Sequence, residues 1–151
     1  MNTETYEEGG RRLNELLLRT SPAELPGFFA LYGAELTTDP KPFAAYFRRK
    51  MEEKGLLRQN VFLAADLSEG YGYKLISEEK RTRKRDTVLR LCFAARFRPE
   101  EAREALILYG MAPLHGRFPR DAVLLVALQA GIREIPEVNE LLRSFGLPEL
   151  G

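Results

Sequence analysis

The chain has 151 residues, 44% hydrophobic and 30% charged, with a single cysteine. That length fits one domain with a helical appendage, and the ordinary balance of apolar and charged residues excludes a wholly disordered chain. Cys92 alone cannot make a disulfide framework or a cysteine-rich zinc site, and no run of about 18 apolar residues is present to span a bilayer. The opening segment MNTETYEEGG is acidic and lacks an apolar stretch, so it does not read as a signal peptide; a soluble, cytoplasmic protein without membrane contact is expected.

The net charge of +1 is unevenly spread. Residues 1–41 hold four basic and seven acidic side chains, residues 42–90 hold twelve and seven, and residues 91–151 hold seven and eight. Only the middle third is basic, and a local basic patch matters more to an anionic partner than the whole-chain balance.

Helical periodicity recurs along the chain. Leu13, Leu16 and Leu17 fit a first helix, ended at Thr20-Ser21-Pro22. Ser21 can cap a second helix, with Pro22 at its first position and Glu24 at its third. Asp39-Pro40-Lys41-Pro42 reads as a linker. Phe43, Phe47 and Met51 then recur every four residues up to Gly55. Val61, Phe62 and Ala65 give the next helix its apolar face, with Asp66 as breaker. Ser68 can cap a further helix running to about Glu79, and the basic hinge Lys80-Arg81-Thr82-Arg83-Lys84-Arg85 follows. Further helices are expected at Val88–Phe97, from Pro99 to Gly110, at 120–131 and from Pro136 to Gly146.

The last four helices read as a duplication. Arg85/Arg120, Asp86/Asp121, Val88/Val123 and Leu89/Leu124 match at one spacing; Glu101/Glu137, Glu104/Glu140, Tyr109/Phe145, Gly110/Gly146 and Leu114/Leu150 match after a one-residue insertion. Each copy is a helix, a turn, a second helix and a glycine cap preceded by an aromatic, a unit that buries its apolar stripe by stacking on a neighbour.

Residues 57–79 have the mechanics of a helix-turn-helix: two short helices over a tight turn, with Phe62, Ala65, Leu67 and Leu75 setting the crossing and Ala64 and Gly72 permitting close approach. The second helix would present Glu69, Gly70, Tyr71, Tyr73, Lys74 and Ser77 outward, with the hinge cations beside phosphates. Of the two tyrosines, one is expected partly buried and the other exposed. Residues 43–110, with GYGYKLISEEKRTRKRDTVLRLCFAAR at their centre, resemble the Cro/repressor-type (XRE-type) helix-turn-helix family. The closest likeness is to a bacterial branch, and it extends through EEAREALILYGMAPL and RDAVLLVALQAG. Against the family pattern, Asp66 replaces the turn glycine, Glu69 stands outward where glutamine is common, and Glu78-Glu79 replace the glycine after the second helix, adding acids to the outward face.

The resemblance implies an all-α, lambda-repressor-like bundle with N-terminal helices and a duplicated C-terminal hairpin. The expected parts are an N-terminal helical segment, 1–38, a helix-turn-helix domain, 40–114, and a hairpin packed on it, 115–151. It implies a transcriptional regulator that binds double-stranded DNA, as a homodimer, through Arg58, Gln59, Ser68, Tyr71, Lys74, Lys80, Arg81, Arg83, Lys84 and Arg85. The alternative is a death-fold-like adaptor in bacterial signalling or defence, with the basic hinge docking an acidic protein partner.

No enzyme, cofactor or metal site is expected. His115, the only histidine, stands in a loop without acidic or cysteine neighbours, and Cys92 lies inside an apolar run where it serves as a small core residue. Gly70 and Gly72 follow no strand and form no phosphate loop, and Glu52-Glu53 and Glu100-Glu101 read as helix-surface charges. Phe28, Phe29 and Tyr32 read as core.

Overall fold

The computed structural model describes residue 4 and residues 6–36 and 41–151. It divides into two units, Met1–Pro40 and Lys41–Gly151. Among the described residues there are nine α-helices and no strand, and no helix is long and apolar enough to cross a membrane.

The first unit holds α1 (Tyr6–Leu18) and α2 (Leu25–Tyr32). Thr20 closes α1 by donating its hydroxyl to the Leu16 carbonyl at 2.7 Å. The Ser21 amide donates to Glu24 Oε1 at 3.0 Å, so the expected cap forms, opening a short 3-10 turn at Pro22–Glu24 that leads into α2. Arg12 bridges Glu4 and Glu35. Of the aromatic trio, Phe28 is buried and stacks on Phe29 and Tyr32, whereas Phe29 is exposed. Most of the expected linker, residues 37–40, lies outside the described residues.

The second unit holds α3 (Pro42–Lys54), α4 (Arg58–Ala64), α5 (Glu69–Ile76), α6 (Arg85–Ala94), α7 (Pro99–Leu108), α8 (Pro119–Gln129) and α9 (Ile135–Ser144). Position 114/115, where the sequence suggested a boundary, falls inside this unit, and one buried core runs from Phe43 to Leu150. Phe43, Phe47 and Met51 form the buried stripe of α3. Six of the seven helices end alike: a residue with positive φ, then an apolar residue whose amide reaches back five positions. The endings are Gly55-Leu56, Asp66-Leu67, Arg96-Phe97, Gly110-Met111, Gly131-Ile132 and Gly146-Leu147. The apolar residue caps the helix and starts the turn, so one local device sets each change of direction.

The duplication is visible as a local two-fold arrangement of the hairpins α6–α7 and α8–α9, in which α6 packs on α9 and α7 on α8. Its hub is a crossed pair of clasps. Arg85 donates to both carboxylate oxygens of Asp121 at 3.0 Å and to the carbonyls of Ala112 (3.0 Å) and Pro113 (2.8 Å), while Asp121 accepts the His115 amide at 2.9 Å. Arg120 repeats this with Asp86 at 2.8 Å and with the carbonyls of Pro148 (2.9 Å) and Glu149 (2.8 Å), while Asp86 accepts the Gly151 amide at 3.0 Å. Burial works to raise the Asp86 carboxyl, but the Arg120 guanidinium and the Gly151 amide outweigh it and hold it below its ordinary value. Each arginine thus binds the chain segment after its own hairpin and the aspartate of the other. The matched Arg-Asp dipeptides of the sequence are therefore the bolts of the duplication.

Candidate nucleic-acid interface

Helices α4 and α5 meet over the turn Ala65–Ser68. A Cβ added to Gly72 would stand 2.5 Å from Phe62 Cδ1, so only glycine admits this approach. Ala64, paired with Gly72 in the sequence reading, is exposed and plays no such part. Asp66 takes the left-handed conformation (φ 56°) that explains why a glycine suits this turn; aspartate tolerates it better than most residues. Arg90 of α6 holds the turn, donating to the Asp66 carbonyl at 2.9 Å and lying 3.4 Å from its carboxylate. Ser68 caps α5 by accepting the Tyr71 amide at 3.3 Å.

Glu69, Gly70, Tyr71, Tyr73, Lys74 and Ser77 are all exposed on α5. The tyrosines do not split into one buried and one free: both are about two-fifths exposed, and Tyr73 lies edge-on to Phe62 with the Arg58 guanidinium 5.7 Å over its ring. Gln59 donates to Glu69 at 3.4 Å, which ties the start of α4 to the start of α5. Arg58 and Gln59 therefore lie against the Glu69–Tyr73 flank of α5, while Ser68, Tyr71 and Lys74 are exposed at its cap and along the helix.

The acids at 78 and 79 part company. Glu78 has φ 57°, the conformation that favours glycine, but its side chain turns inward and is 2% exposed. It accepts the Ala44 amide at 3.0 Å at the start of α3 and an ion pair from Arg81. The outward-facing acid expected at this position is thus absent, while Glu79 remains exposed.

The basic hinge is also divided. Arg81 pairs with Glu78, donates to the Tyr109 carbonyl and lies 4.2 Å over the Tyr109 ring, and the Thr82 amide donates to the Tyr109 hydroxyl at 2.8 Å. Arg85 is committed to its clasp. Lys80, Arg83 and Lys84 are exposed and form no ion pair among the described residues, as do Arg58 and Lys74. Arg83, Arg81 and Tyr109 line an open depression of about 430 Å³. Between residues 58 and 84 these five exposed cations, of which Arg58 also lies over Tyr73, outnumber the exposed acids Asp66, Glu69 and Glu79. The inward turn of Glu78 and the structural use of Arg81 and Arg85 escaped sequence reasoning; the signal for the latter was the repeat itself, which pairs Arg85 with Arg120.

Elsewhere the chemistry is quiet. Cys92 is fully buried and burial pushes its thiol pKa up. His115 accepts the Arg117 amide at Nδ1, 3.1 Å away, and stacks on Phe118. No cluster of three or more His, Cys, Asp or Glu able to hold a metal occurs among the described residues. No family model, curated protein or solved structure matches the chain.

Proposed function

We propose that the chain is a DNA-binding regulator that sets α5 into a groove of double-stranded DNA. The observation that carries this reading is an exposed α5 face bearing Lys74, followed in the chain by the exposed hinge cations Lys80, Arg83 and Lys84, none of them with an ion-pair partner among the described residues. Tyr71 and Lys74 face base edges or sugar, while Lys80, Arg83 and Lys84 lie along phosphates. Glu69, tied to Gln59, can accept a hydrogen bond from a cytosine amino group. Arg81 and Arg85 act on the protein's side, fixing the hinge that carries the free cations. One short helix touches too few base pairs for useful specificity, so the reading includes a homodimer.

The test is titration of the protein against random and genomic duplexes at two salt concentrations. Three phosphate contacts imply a log–log salt slope of about −3, a loss of roughly 40-fold in affinity between 50 and 200 mM salt. Binding should weaken in an Arg83→Ala/Lys84→Ala double variant. Absence of salt-sensitive binding at micromolar protein would sink the reading.

A further inference from the structure

The two C-terminal hairpins share a backbone plan, but only the first is covered. α3 packs on α7 and α4 on α6. Phe43 meets Tyr109 edge-on at 4.8 Å between ring centroids, Phe47 lies 5.4 Å from Phe97, and Lys50 and Lys54 pair with Glu101 at 3.3 and 2.8 Å. Residues 43, 47, 50 and 54 are one stripe of α3, so a single helix supplies an apolar pair and, after it, a basic pair.

On the second hairpin Ile132, the match of Phe97, is half-buried against the core, but other matching positions are bare. Leu91 is 1% exposed and its match Val126 is 65%; Tyr109 is 3% exposed and its match Phe145 is 66%. Glu137, the match of the doubly paired Glu101, is exposed and makes no ion pair among the described residues. Glu134 and Glu140 stand exposed on or beside the same helix. Apolar side chains spaced as on a covered face, beside an acid whose match binds two lysines, define what fits there.

We propose that α8 and α9 form a docking face for an amphipathic helix of a partner protein. That helix carries bulky apolar residues at i and i+4 and lysine or arginine at i+7 and i+11, as α3 does. Charge selects this occupant over a second copy of the chain. Two such faces would set Glu137 and Glu140 against their like. α1, which has Leu13 and Leu17 at the apolar spacing, ends at Leu18 and so carries no cations at the two further positions, where the sequence has Thr20 and Glu24. The face is separate from the α5 side, so this inference stands or falls independently of DNA binding.

The probe is a fluorescent peptide of residues 42–54, stapled between the solvent-facing positions 48 and 52 and confirmed helical by circular dichroism, titrated into the intact protein. Saturable binding is expected, weakened about tenfold or more by Val126→Glu and by Glu137→Lys. A peptide with Lys50→Glu and Lys54→Glu should regain affinity for the Glu137→Lys protein. Val126, Glu137 and Phe145 are exposed, so these variants keep the fold, checked by thermal melts. No binding at about 1 mM peptide, or binding indifferent to both substitutions because the peptide displaces α3 from the first hairpin, overturns the proposal. So does a concentration-dependent dimer abolished by Phe145→Glu, which would assign the face to a second copy.

Discussion

The hairpins α6–α7 and α8–α9 are built on one plan and used in two ways. Both open with an Arg-Asp pair, turn on a residue of positive φ, and end on an aromatic before a left-handed glycine. In the first, that aromatic is Tyr109, roofed by Phe43 and Arg81 and hydrogen-bonded through its hydroxyl; in the second it is Phe145, open to solvent. Identical backbone logic therefore does not fix whether a face is core or surface. What decides is whether another element of the chain arrives to cover it, and α3, α4 and the hinge arrive on one hairpin only.

Substitution at the paired aromatics breaks the comparison most sharply. Tyr109→Ala should cost about 3–5 kcal/mol in urea unfolding, whereas Phe145→Ala should stay within about 0.5 kcal/mol. Equal losses would mean that Phe145 is covered in solution. The two clasps come next. Asp121 is 6% exposed in its side chain and Asp86 is 24%, so water can replace a lost partner only at the second. Arg85→Ala should cost about 3 kcal/mol and Arg120→Ala about 1–2 kcal/mol, measured by the same method.

Acid sharpens the contrast between Glu101 and Glu137. Burial works to raise the Glu101 carboxyl, but Lys54, the Arg98 amide and Lys50 together hold it below its ordinary 4.5. A carboxyl lowered in the folded state stabilises fully above its ordinary value and loses that contribution as pH falls through the lowered one. Stability should therefore be flat between pH 7 and about 5.5 and decline below about 4.5. Glu101→Gln should remove about 1 kcal/mol or less at neutral pH and flatten that decline, while Glu137→Gln should do neither. The smallest effect has the opposite sign. Arg96 occupies, at φ 60°, the place that Gly131 fills in the second hairpin. Relief of left-handed strain should exceed the added freedom of the unfolded chain, so Arg96→Gly should gain about 0.5 kcal/mol in thermal unfolding.

Much of this was legible in the sequence. Apolar spacing and the Ser68 cap placed α3 to α9 to within a few residues, and the matched dipeptides announced the duplication, because local periodicity and capping are read from neighbours in the chain. The hinge was not legible in the same way. Six consecutive residues, five of them cationic, look alike in composition, yet Arg81 and Arg85 are held by Glu78, Tyr109 and Asp121, partners between three and 36 positions away. Glu78 resisted for the same reason: its inward turn depends on the Ala44 amide, 34 positions earlier. Exposure of Val126 and Phe145 was equally hidden, since apolar residues in a repeat read as buried until the missing cover is seen.

The proposed division of labour, DNA contact at α5 and the hinge and helix docking at α8–α9, is tested most directly by backbone amide chemical shifts recorded while a random-sequence duplex is added to the intact protein. The account predicts that Tyr71 to Lys74 and Lys80 to Lys84 move, that raising the salt reverses the shifts, and that Val126 and Phe145 stay still. Shifts confined to α8 and α9, or none at all at micromolar to millimolar duplex, would contradict it.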